Sequence, residues 1–134
     1  MARNVARTRW NVFLAKAEDF LRAAQSSHGG RNWNACVSAS VHAGILACDV
    51  VTVGVLGKRN TGEHDDLIPL LAAALDASPK ELSDNQRRIR RLLEVKNVAE
   101  YEDRLLDGSE ASSSLKDGER LVEFARRFSK RFEN

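Results

Sequence analysis

The sequence predicts an all-α domain: an up-and-down antiparallel four-helix bundle with one additional short helix. Three observations predict it. Alanine, leucine, arginine and glutamate dominate, and runs of β-branched residues are few, which favours helix over strand. Apolar residues recur at i, i+3, i+4 and i+7 in successive segments divided by glycine, proline or short polar links. The length of 134 residues suits one domain with a single modest core.

The first helix is marked by Trp10, Phe13, Leu14, Ala17, Phe20, Leu21 and Ala24 on one face. It ends at His28-Gly29-Gly30, where glycine is the usual left-handed stop. The second runs from about Asn32 to Leu56 and is apolar almost all round, as the most buried member of a bundle should be. Gly57 closes it, and a loop follows over Lys58–Glu63. Asp65 and Asp66 precede a short third helix through Leu67, Ile68, Leu70, Leu71 and Leu75, where carboxylates suit the positive end of the dipole. Pro69 must lie in its first turn, because a proline in mid-helix costs ~3 kcal/mol.

Ser78-Pro79-Lys80-Glu81 opens the fourth helix, with serine as cap, proline at the first position and glutamate at the third. Leu82, Ile89, Leu92, Leu93, Val95, Ala99, Leu105 and Leu106 extend it to Leu106, where Asp107-Gly108 is the expected stop. A serine-rich loop then leads to a fifth helix through Leu115, Leu121, Val122, Ala125, Phe128 and Phe132. Short links favour antiparallel neighbours.

The formal net charge is +2, too balanced to demand a nucleic-acid partner, so a local basic patch matters more than the total. One such patch is the run Arg87, Arg88, Arg90 and Arg91, which is either a phosphate-contacting surface or a solvated helix face. Cys36 and Cys48 stand about 18 Å apart along one helix and cannot pair within it. Two buried free thiols suit a reducing cytosol. The basic N-terminus does not lead into an apolar leader core, so no secretory leader is expected. Ser38, Ser40, His42, Asp49 and Thr52 interrupt the longest apolar stretch, so no membrane span is expected.

Polar residues on the buried second helix are informative. Asn34, Ser38, His42 and Asp49 form one stripe. A Ser–His–Asp triad is a poor fit, because Asp49 lies roughly 10 Å beyond His42 along the axis. Buried groups bonding across helices or lining a small pocket are expected instead. Arg59 and His64 have the types needed for metal-independent RNA cleavage, a cation for phosphorane charge and a group that titrates near neutrality. The alternative is a solvated arginine and a helix-entry histidine. His28, His42 and His64 are too scattered for a metal motif, and neither metal nor cofactor is expected.

Three stretches together resemble the HEPN domain superfamily over about residues 8–130: AEDFLRAA, NWNACVSASVHAGILACDVVTVGVLGKRNTGEH and RRLLEVKNVAEYED. The last is similar to the family's R-x2-A-[DE]-Y signature. The resemblance implies a helical bundle that homodimerises. It also implies either an RNA ribonuclease with Arg-x4–6-His on the late long helix or a non-catalytic module. Such modules bind RNA or nucleotide, mediate protein interactions, or partner a nucleotidyltransferase in toxin–antitoxin pairs. Here Lys96 and Tyr101 occupy the arginine and histidine slots. Lysine lacks the bidentate fork, and tyrosine with its usual pKa near 10 is a poor proton shuttle at neutral pH. Lys96, Asn97, Glu100 and Tyr101 are then either a residual nucleotide or RNA site or an inter-helix network. The expectation is a cytosolic, non-catalytic module. The alternatives are a ribonuclease toxin with a displaced site at Arg59 and His64 and a structural interaction module.

Overall fold

A computed structural model describes residues 2–61 and 66–133. Among these residues the chain is mainly helical. It forms five α-helices: α1 (Trp10–Gly29), α2 (Trp33–Leu56), α3 (Leu67–Ala74), α4 (Pro79–Tyr101) and α5 (Gly108–Phe128). It also forms a two-stranded antiparallel sheet that pairs β1 (Ala2–Asn4) with β2 (Lys58–Asn60). The sheet departs from the all-helical expectation. Its strands are only three residues each, Ala-Arg-Asn and Lys-Arg-Asn, too short to show an alternation, and they are brought together by the tertiary fold.

Helix α2 is the hub, packing against α1, α3, α4 and α5. Its Val37, Val41, Val50, Val51 and Val53 are fully buried, meeting Leu92 and Ile89 of α4 and Leu121 and Val122 of α5 in one core. Each such side chain stabilises the fold by roughly 1.5–3 kcal/mol. Gly44 permits a close approach: a Cβ there would collide with Leu92 and press on Leu121. By length and composition α2 is apolar enough to cross a membrane, yet 67% of its most apolar stretch is buried within the fold. Cys36 and Cys48 are free and buried, and burial pushes both thiols up from their ordinary range.

Gly57 ends α2 in the left-handed conformation at φ 65°, its N–H bonding to Val53 C=O at 2.9 Å. The stop after α1 differs from expectation. Gly30 has φ −85°, and Arg31 is the left-handed residue at φ 60°.

The junction of α4 and α5 also corrects the sequence reading. Helix α4 ends at Tyr101, not Leu106, and Asp107-Gly108 starts α5. Asp107 accepts from Glu110 N at 2.8 Å, while Glu110 accepts from Asp107 N at 3.0 Å, a complete capping box. Arg104 grips Glu110 with two bonds of 2.9 and 2.7 Å. That grip, with the Asp107 N–H, holds the Glu110 carboxyl down at about 2. Asn34 accepts from Leu106 N at 3.3 Å, so Leu106 turns into the core while Leu105 stays exposed. The serines from 109 to 114 are therefore helical, not loop. The box expected at Ser78–Glu81 does not form: Pro79 opens α4, but the Ser78 side chain makes no cap bond.

Candidate nucleic-acid interface

The run at 87–91 faces two ways. Arg87, Arg88 and Arg91 line a groove of about 390 Å³ between α4 and α5, together with Ser113, Lys116, Asp117 and Arg120. Arg90 is exposed and lies outside that lining. The division follows from helix geometry, because positions i, i+1 and i+4 share a face that i+3 only borders. On α5, Ser113, Lys116, Asp117 and Arg120 fall at the complementary spacing of three and four.

Fixed partners orient the arginines. Arg91 donates Nε–H to Asp117 Oδ2 at 2.9 Å and Nη2–H to Asp117 Oδ1 at 2.7 Å, a fork that ties α4 to α5. These bonds raise the Arg91 guanidinium above its usual range. Arg88 donates to Asn85 Oδ1 at 3.0 Å, and Asn85 is itself anchored on Glu81 C=O. Arg87 donates to Asp84, whose carboxyl is lowered by Lys80 and, secondarily, by Arg87. Lys116 and Arg120 make no ion pair among the described residues. The groove thus presents five cationic side chains against one carboxylate already held by Arg91. Such a surface complements a chain of phosphates, with Ser113 as a neutral donor at its edge.

Arg59 sits elsewhere and is not a solvated loop residue. Its Nη2–H donates to Asp49 Oδ2 at 3.1 Å, and its guanidinium lies 4.7 Å from the Phe13 ring centre. Asp49 is fully buried on α2. Burial pushes its carboxyl up to about 7, against the opposing pull of the Arg59 charge and hydrogen bond. Asp49 Oδ1 and Arg59 Nε have no hydrogen-bond partner among the described residues. His64 lies outside the described residues.

The polar stripe on α2 divides along its length. Asn34, Ser38 and His42 are exposed, against the expectation of buried groups, because α1 and α5 cover other faces at that end. His42 Nδ1 bonds to Ser38 C=O at 2.8 Å, and its ring stacks on Phe20 at 5.1 Å. Asn34 does bond across the fold, to Leu106. Of the four, Asp49 alone is buried. Lys96 pairs with Glu100 at 3.0 Å on one face of α4. Asn97 and Tyr101 are exposed, Tyr101 by 79%, so these four side chains enclose no pocket. Neither an inter-helix network nor a closed site forms there among the described residues.

Lys116, Asp117 and Arg120 do not stand out in the sequence. Their spacing is visible there, but the serine-rich start of α5 reads as loop. The sequence also puts Asp49 and Arg59 in different candidate sites, although a capped helix end separates them and can fold one back on the other. Among the described residues no group of three or more His, Cys, Asp or Glu side chains gathers to hold a metal ion. The chain matches no protein-family model and no curated protein.

Proposed function

We propose that this protein is a non-catalytic, HEPN-like helical module that holds RNA by its phosphate backbone along the α4–α5 groove. The observation that carries this reading is the meeting of five cations from two helices around a carboxylate that one of them already satisfies. Guanidinium forks held in place before binding suit phosphate oxygens better than freely moving side chains do. The reading extends to an up-and-down arrangement of α1, α2, α4 and α5, a cytosolic setting and a homodimer. A nucleotidyltransferase is the partner that the resemblance favours. The commitment of Arg59 to Asp49 supports a binding role over RNA cleavage by Arg59 and His64.

The test is fluorescence anisotropy with a labelled single-stranded RNA across a salt series. Lys116→Ala with Arg120→Ala should weaken binding and lower the salt slope by roughly 0.7 for each phosphate that is no longer neutralised. Arg90→Ala should leave both unchanged, since Arg90 is outside the groove. Equal weakening by the two variants would show general charge attraction instead, and no binding at low salt would sink the reading. Intact total RNA after incubation with the protein is the expected companion result.

A further inference from the structure

The α4–α5 groove holds an anion of its own. Arg87 and Arg88 are each held through a single Nη, by Asp84 and Asn85, and neither partner lines the groove. Arg91 is held differently. Its Nε–H and Nη2–H, the fork edge that fits two oxygens of a phosphate, go to the two oxygens of Asp117 at 2.9 and 2.7 Å. Asp117 is the one acid among the described residues that lines the groove. Carboxylate and phosphate oxygens compete for that same edge, so the resident carboxylate stands where a phosphate would bind.

Displacing that carboxylate is unfavourable. Asp117 is buried, and a phosphate that took the fork would strand it without a partner and beside a second anion. The exchange would also undo the contact that ties α4 to α5. Arg91 is half exposed and keeps further N–H donors, but its charge is cancelled by Asp117 beside it. Arg87, Arg88, Lys116 and Arg120 are then the cations left to meet a ligand. We propose that Asp117 is an internal competitor for phosphate: it occupies the Arg91 fork, holds the groove below its full affinity and keeps bound RNA exchangeable. This inference rests on the α4–α5 groove being the RNA site.

Two measurements on the full chain test it. The first is RNA anisotropy across a salt series with Asp117→Asn, which keeps the size of the side chain and removes its charge. The variant should bind about tenfold tighter at low salt, as one added charge-assisted contact gives. Its salt slope should steepen by roughly 0.7, for one further neutralised phosphate. Asp117→Ala, which leaves Arg91 no acceptor there, should show the same two gains. Glu119→Gln removes the same charge from the α1-facing flank of α5, outside the groove, and should stay close to the parent. The second follows the arginine Nε–H resonances during titration with inorganic tripolyphosphate, without RNA. In the parent the Arg120 signal should move and the Arg91 signal should stay; in Asp117→Asn both should move. The proposal is overturned if Arg91 moves in the parent as Arg120 does, or if it stays still in Asp117→Asn. It is equally overturned if the folded Asp117 variants bind RNA no tighter than the parent, or if Glu119→Gln matches their gain. A parent and variants that all ignore RNA, with Arg120 still moved by tripolyphosphate, would remove the RNA reading alone; the competition at Arg91 then stands or falls on the resonances.

Discussion

Two Arg–Asp pairs join different elements among the described residues, and they are built differently. Arg91 meets Asp117 through both arms of its fork, at the half-open rim between α4 and α5. Arg59 reaches Asp49 through a single Nη, and the carboxylate is fully buried with Oδ1 left unpaired. The first is a satisfied brace, because both oxygens of the buried Asp117 accept from Arg91. The second keeps a carboxyl in the core with half of its hydrogen bonding unmet, which is why its pKa is driven up to about 7. The same two residue types thus give a fixed support in one place and a titrating element in the other.

The largest expected effect comes from breaking the buried pair on the arginine side. Arg59→Ala should destabilise the protein by about 3–5 kcal/mol at pH 8, because it removes the partner of a buried carboxylate and drives Asp49 to take up a proton. At pH 5 the destabilisation should be smaller by about 1 kcal/mol, because Asp49 is protonated in both proteins there and only the parent releases the proton between about 7 and 8. Urea unfolding at the two pH values measures the difference, and equal destabilisation at both would refute the contrast.

Next comes the pH dependence of the parent. The folded state holds the Asp49 proton up to about 7, whereas the unfolded chain releases it near 3.8. Between these values the native state binds more protons, so the contribution of Asp49 to stability falls as pH rises from about 4 to about 7. Asp49→Asn should flatten that part of the stability curve, a change on the order of 2–4 kcal/mol across the window. A slope preserved in the variant would assign it to other groups. Smaller again, Arg91→Ala should cost about 1–2 kcal/mol by urea unfolding, because Arg91 itself is half exposed, although Asp117 is buried.

Much of this architecture is legible in the order of residues. The one-sided pattern from Trp10 to Ala24, the all-apolar run to Leu56 and the proline after Ser78 place α1, α2 and the start of α4. The junction after Tyr101 is not legible in the same way, because Asp107-Gly108 fits either a helix stop or a helix start. The deciding signal is Glu110, three residues after the cap. Asp107→Ala should accordingly cost about 1 kcal/mol of stability by thermal or urea unfolding, the smallest of these effects. The arginine run is legible as a basic patch, but its role as one wall of a groove is not. The opposite wall is set by the packing of α5 on α4, and periodicity reports which face is apolar, not which faces meet. The partnership of Arg59 with Asp49 is hidden for the same reason, since it depends on how β2 folds back along α2.

The position of α2 has a consequence for how the molecule opens. A helix that touches all four others cannot lose its protection unless each of them lets go. Its central amides, from Val41 to Val53, should therefore exchange with solvent deuterium only through global unfolding, and should report the full stability of the domain. The three-residue strand β1 has no such backing, and its amides should exchange orders of magnitude sooner by peeling away from β2. Strand β1 can then lift away while the core stays closed.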